Sequence, residues 1–151
     1  MLLCSLFSLN AYSSDDDDDN RNGCYNSDEI MNAAHNYDRA LIHFAQLLTD
    51  IGDPWSHISG DAIKAAQAAR HLHEMTETGK SCGHIKREFI NNVKKEFWHV
   101  RKQLEPIQEN YHNGHVIRDF REVKWSFYYL RRTIIGWGDG GGHGNGYGND
   151  Y

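Results

Sequence analysis

Apolar residues recur at helical spacing in four segments of the chain. The last segment carries six of them at spacings of 4, 3, 4, 3 and 4: Val116, Phe120, Val123, Phe127, Leu130 and Ile134. This repeat places the apolar side chains along one stripe of a helix, as in the helices of a bundle. The spacing predicts a helix over 116–135.

Two earlier segments repeat the pattern. The first opens at Ser27, with acidic residues in its first turn, and Gly52 and Pro54 are expected to end it near residue 51. The second is predicted from about Gly60 to Thr78, after Ser59 as a cap. Its inward positions are mostly small, which predicts close packing against a neighbouring helix: Ala62, Ala65, Ala69 and Leu72.

The third helix is predicted to begin near His84. Its apolar positions are Phe89, Val93, Phe97, Val100, Leu104, Ile107 and Tyr111. They keep their phase across Pro106, which favours a kink near Lys102 over two separate helices. An Asn113-Gly114 turn then leads into the fourth helix. Short connections make successive helices antiparallel, so the sequence predicts an all-α, up-down-up-down four-helix bundle over 27–135.

The two ends of the chain have different compositions from this domain. Residues 1–13 form an apolar run that ends in Ala11-Tyr12-Ser13, which indicates a secretory signal peptide and a periplasmic or secreted protein. The alternative is a buried N-terminal strand or helix. The run is too short for a membrane span. Residues 14–26 hold five consecutive aspartates, and 8 of the 16 residues in 136–151 are glycine, so both segments are expected to be disordered.

The cysteines provide a check on this topology. Without the signal peptide, Cys24 and Cys82 remain, one before the first helix and one between the second and third. An up-down bundle places both positions at the same end. We therefore expect a Cys24–Cys82 disulfide, which would stabilise the fold by about 4 kcal/mol on the chain-entropy account.

Charge is unevenly distributed. Residues 14–80 carry 13 acidic and 5 basic side chains, whereas residues 81–135 carry 6 acidic and 11 basic ones. The two halves either complement one another within the fold, or the basic half binds an acidic partner.

A binding surface is predicted on the outer side of the fourth helix. Helical spacing puts Trp125, Tyr129 and Arg132 opposite the apolar stripe, with Tyr128 and Lys124 beside them. Aromatic residues and arginine are enriched at protein interfaces. The same side chains could instead pack within the chain. Nucleic acid is not the expected partner, because the first half is acidic and an export signal is predicted.

The chain carries no catalytic motif of the nucleophile-elbow, phosphate-loop or dinucleotide type. We expect neither an enzyme nor a cofactor. The alternative is a periplasmic carrier or sensor of copper, zinc or nickel, because ten histidines are present and His71 lies one turn from Met75, with His99 as a further ligand. The preferred interpretation is an exported, disulfide-linked bundle that binds an unknown protein, an anionic envelope component or a second copy of itself.

Overall fold

The computed structural model describes residues 27–110 and 112–136. These residues form a helical bundle, which confirms the predicted all-α fold. The helices are α1 (Ser27–Ile51), α2 (Ser56–Glu77), α3 (Cys82–Glu88), α4 (Lys94–Asn110) and α5 (Gly114–Ile135), with a π-helical turn, Phe89–Val93, joining α3 to α4. Because the junctions keep helical backbone angles, α3, the π turn and α4 make one continuous rod, the third of four.

Contacts between side chains define the order of the four rods. Glu29 and His43 of α1 meet Tyr129 and Asp119 of α5, so these two helices are antiparallel neighbours. The other neighbouring pairs are α1 with α2, α2 with α4, and the third rod with α5. Each rod therefore contacts two others around a common apolar core.

The core is built differently on its two sides. α1 and α2 have the most extensive close backbone contact in the bundle, and buried alanines lie on both helices. Small side chains allow this approach, as the sequence predicted for α2. On the opposite side, large rings separate the third rod from α5: Phe89, Phe97, Phe120 and Phe127.

The π turn has a simple cause in the spacing of the core residues. Ile85, Phe89, Val93 and Phe97 are all buried, at three successive spacings of 4. Twelve residues of α-helix would rotate Phe97 about 120° out of line with Ile85. A π turn accommodates one extra residue, which reduces this offset to about 20°. The turn thus keeps both ends of the rod facing the core.

The helix ends differ from the sequence predictions in three places. α2 begins at Ser56, about one turn before the predicted Gly60, and Trp55 is buried beneath its first turn. The third rod begins at Cys82, two residues before the predicted start. α5 begins at Gly114, because the side chain of Asn113 accepts hydrogen bonds from the backbone N–H groups of the first turn.

Pro106 lies inside α4, and the helix continues to Asn110. The prediction that this proline does not divide the helix is therefore correct. Gly136 follows α5 with a φ of 76°, a left-handed conformation that glycine adopts without steric cost. The predicted signal peptide 1–13, the acidic segment 14–26 with Cys24, and residues 137–151 of the tail lie outside the described residues.

Candidate binding surface

Trp125 is the most exposed large apolar side chain among the described residues. It lies midway along α5 with 71% of its surface exposed. The core stripe of α5 points the other way, because Val123 and Phe127 on either side of Trp125 are buried. The predicted outward position of Trp125 is therefore confirmed by its exposure.

The two tyrosines beside Trp125 lean toward different neighbours. The guanidinium of Arg101, on α4, donates a hydrogen bond to the Tyr128 hydroxyl over 3.2 Å. Tyr129 donates to the Glu29 carboxylate of α1 over 3.1 Å, and this bond raises the pKa of Tyr129. The predicted face is thus divided, with Tyr128 toward α4 and Tyr129 toward α1. Intramolecular packing, one of the two predicted alternatives, accounts for part of it.

Trp98 adds an aromatic side chain that the sequence analysis did not select. It lies on α4 with 42% of its surface exposed, and the Arg101 guanidinium lies 5.0 Å from its ring centroid. Arg101 also pairs with Glu105 over 2.7 Å. Since Arg101 contacts both Trp98 and Tyr128, it joins the exposed aromatics of α4 and α5. We call Trp98, Arg101, Lys124, Trp125 and Tyr128 the α4–α5 surface.

Positive charge is concentrated on the same side of α5. At about 100° per residue, the four cations Arg121, Lys124, Arg131 and Arg132 fall within about 60° of Tyr128 around the helix. The two acidic residues of α5, Asp119 and Glu122, lie about 120° or more away. Arg121, Arg131 and Arg132 are exposed, and Lys124 is half-buried with its ammonium 5.9 Å from the Phe120 ring centroid. The side of α5 that faces α4 is therefore basic.

A polar cluster lies on the other side of α4, against α2. Asp61 accepts hydrogen bonds from Lys64 over 2.9 Å and from Gln103 over 2.5 Å, and His99 lies 3.2 Å from the same carboxylate. The hydrogen bond from Lys64 is the main cause that lowers the pKa of Asp61. Trp98 also borders this cluster, in an open pocket of about 450 Å³. Asp61 is thus held as a carboxylate that links α2 to α4.

Two further aspartates are buried between helices, and sequence analysis did not identify them. Asp38 of α1 lies 3.6 Å from His73 Nδ1 on α2, and Asp119 of α5 lies 3.2 Å from His43 Nδ1 on α1. Arg118 also contacts Asp119 over 2.9 Å. Two of their oxygens lack hydrogen-bond geometry with any described residue: Asp119 Oδ2, which is the oxygen nearest His43, and Asp38 Oδ1, which lies 3.9 Å from Arg70 Nε. Each carboxylate joins α1 to a neighbouring helix, which is a structural role.

The predicted metal ligands lie apart in the structure. His71 and Met75 are on α2, His71 being exposed, while His99 of α4 is next to Asp61. Asp61 and His71 are ten residues apart on α2, which is about 15 Å along the helix. Within residues 27–110 and 112–136, no three His, Cys, Asp or Glu side chains are grouped so that they could hold a metal ion.

Comparisons of the chain with protein-family models, with curated proteins and with solved structures found no match. In the described part of the chain, no helix has the length and apolar character that crossing a bilayer requires.

Proposed function

We propose that this chain is a small exported, disulfide-linked helical bundle that acts without catalysis, by binding an acidic partner protein at the α4–α5 surface. The observation that carries the proposal is the pair of exposed tryptophans, Trp98 and Trp125, on adjacent helices beside a row of cations. Aromatic and arginine side chains supply most of the binding energy at many protein interfaces. The basic side of α5 adds electrostatic attraction, which speeds the approach of an acidic partner.

The position of Cys82 supports the disulfide in this proposal. Cys82 is the first residue of α3, and Cys24 precedes the first residue of α1 by only three positions. α1 begins at the end of the bundle where α2 finishes, because His35 of α1 contacts His73 near the end of α2. The short connection after α2 leaves the start of α3 at that same end. Intact mass before and after reduction tests the pairing, and two freely alkylated thiols would contradict it.

Binding is tested with a defined acidic probe. Poly-L-glutamate of about 20 residues is titrated into the chain while tryptophan fluorescence and sedimentation velocity are recorded. The expected result is saturable binding that weakens as salt rises, because exposed charges are screened. Vesicles containing phosphatidylglycerol form a parallel arm, since an anionic lipid surface would attract the same cations.

Two pairs of variants locate the binding site. Trp98→Ala with Trp125→Ala removes the exposed rings, and Arg121→Ala with Lys124→Ala removes adjacent charge. Ile63→Ala and Arg39→Ala are the matched controls, because both side chains are exposed on α2 and α1. The proposal is supported if both double variants lose binding and both control variants keep it. Equal binding by all four variant proteins would rule out the α4–α5 surface as the binding site. If the chain forms a dimer that is lost when both tryptophans are replaced, the partner is a second copy of the chain.

A further inference from the structure

The acidic segment at the start of the chain and the basic side of α5 are complementary in charge. Asp15–Asp19 are five consecutive carboxylates. Arg121, Lys124, Arg131 and Arg132 lie on one side of α5 over eleven residue intervals, which is about 17 Å of helix. Five residues of extended chain span a similar length, about 17 Å. The two rows of opposite charge therefore match in extent as well as in sign.

The start of α1 lies against α5, so the acidic segment is tethered close to this basic side. Tyr129 of α5 donates its 3.1 Å hydrogen bond to Glu29, two residues after the first residue of α1. Asp19 precedes Ser27 by eight residues, and an extended chain of that length reaches about 26–29 Å. Passing around half of a helix that is 10–12 Å wide takes about 16–19 Å. The segment is thus long enough to reach the far side of α5.

The proposed Cys24–Cys82 disulfide would also hold the acidic segment near α5. If Cys24 is joined to Cys82, the chain is held at the first residue of α3, which packs beside α5. Asp19 is then five residues from Cys82's partner and therefore close to α3, a helix that contacts α5.

We propose that Asp15–Asp19 binds the basic side of α5 within the same chain and competes there with an acidic partner. The competition rests on the proposed function, because it matters only if an acidic partner binds the α4–α5 surface. The occupant is this chain's own segment and not a second copy, since a short tether gives an effective concentration in the millimolar range. An acidic partner binds after displacing the segment, so removing its charge increases the partner's affinity.

The test compares the full chain with the variant D15N/D16N/D17N/D18N/D19N. Amide resonances of α5 are recorded by nuclear magnetic resonance at 20 mM and 500 mM salt, together with the affinity for poly-L-glutamate. We expect resonances from Arg121 to Arg132 to differ between the two proteins at low salt and to converge at high salt. We expect the variant to bind poly-L-glutamate about tenfold more tightly at low salt. Glu74→Gln with Glu77→Gln is the control, because it removes exposed negative charge from α2 instead.

The possible outcomes separate this inference from the proposed function. Identical α5 resonances and equal affinities overturn the inference, although probe binding itself would still support the function. Shifted α5 resonances without probe binding by either protein support the segment's docking and refute the binding function. Resonance differences that grow with protein concentration would show that the segment comes from a second copy, which overturns the intramolecular form. The control variant should leave both measurements unchanged. If it had an equal effect, a general change in net charge would explain the result, and the inference would be overturned.

Discussion

Phe97 of α4 and Phe127 of α5 stack face to face, with ring centroids 3.7 Å apart and an angle of 8° between the ring planes. Both rings are buried, and Phe127 also contacts Phe89 and Tyr37. This stack joins the third rod to α5 directly beneath the α4–α5 surface. Trp98 and Tyr128 follow these two residues in sequence, so the stack also sets their separation.

Replacing Phe97 should therefore destabilise the bundle strongly. Phe97→Ala removes a buried ring and leaves a cavity, which costs about 3–5 kcal/mol in the free energy of unfolding. Trp98→Ala is the control, because its ring is partly exposed and should cost about 1 kcal/mol or less. Urea unfolding followed by circular dichroism measures both values. Equal losses would contradict the central position given to the stack.

The π turn predicts that the third rod tolerates the loss of one residue. Deleting the exposed Asn91 changes the core spacings from Ile85 onward to 4, 3, 4 and 3, which is the regular α-helical repeat. We expect a folded protein whose free energy of unfolding changes by about 1 kcal/mol or less, because core positions stay in phase. Deletion of Glu122 in α5 is the matched control. It disrupts the repeat in a helix without a π turn, so that variant should fail to fold cooperatively.

The hydroxyl of Tyr37 predicts a stabilising substitution. Tyr37 is buried and its hydroxyl has no hydrogen-bond partner among the described residues. Tyr37→Phe removes this unsatisfied group and should increase the free energy of unfolding by about 1 kcal/mol. Tyr128→Phe, which loses the bond from Arg101, should give no such gain. Thermal unfolding of the two variants distinguishes them, and a loss of stability in Tyr37→Phe would contradict the buried, unpaired hydroxyl.

Burial also raises the pKa of Tyr37. A raised pKa in the folded state means that the unfolded chain ionises first as pH increases, so stability is retained below about pH 10 and lost above it. Tyr37→Phe should therefore lose less stability than the parent between pH 9 and 11. Parallel pH profiles for the two proteins would be inconsistent with this assignment.

The contacts of Asp61 predict that the stability of the bundle depends on pH in the acid range. Its pKa is lowered chiefly by the hydrogen bond from Lys64. The contribution is fully present above the unfolded pKa of about 4 and is lost as pH falls through the lower folded value. The difference in stability between the parent and Asp61→Asn should shrink as pH falls below about 4. Lys64→Ala removes the main cause and should weaken the same pH dependence, whereas a difference that stays constant with pH would exclude this linkage.

The fold was predictable because its main determinant is local. The spacing of apolar residues in α1, α4 and α5 follows the helical repeat, and short connections restrict the topology. The π turn was missed because the predicted stripe of the third helix began at Phe89. Had Ile85 been included, three consecutive spacings of 4 would have exceeded the α-helical period.

The candidate surface was predictable only in part. Helical spacing placed Trp125 outward, but it could not show that Arg101 connects Tyr128 to Trp98, because that contact joins residues on different helices. The buried Asp38 and Asp119 were missed for the same reason. Aspartate is usually exposed, and the histidine contacts that accompany the burial of these two come from neighbouring helices, which sequence spacing does not reveal.

The tryptophans of the bundle occupy two distinct environments. Trp55 is buried at the turn between α1 and α2, whereas Trp98 and Trp125 are open to solvent on α4 and α5. Indole emission depends on contact with water, so quenching by acrylamide can resolve the two classes. With Trp137 replaced by phenylalanine, the protected emission would report global unfolding and the accessible emission would test the proposed occupancy of the α4–α5 surface. The chain thus contains its own optical probes for both processes.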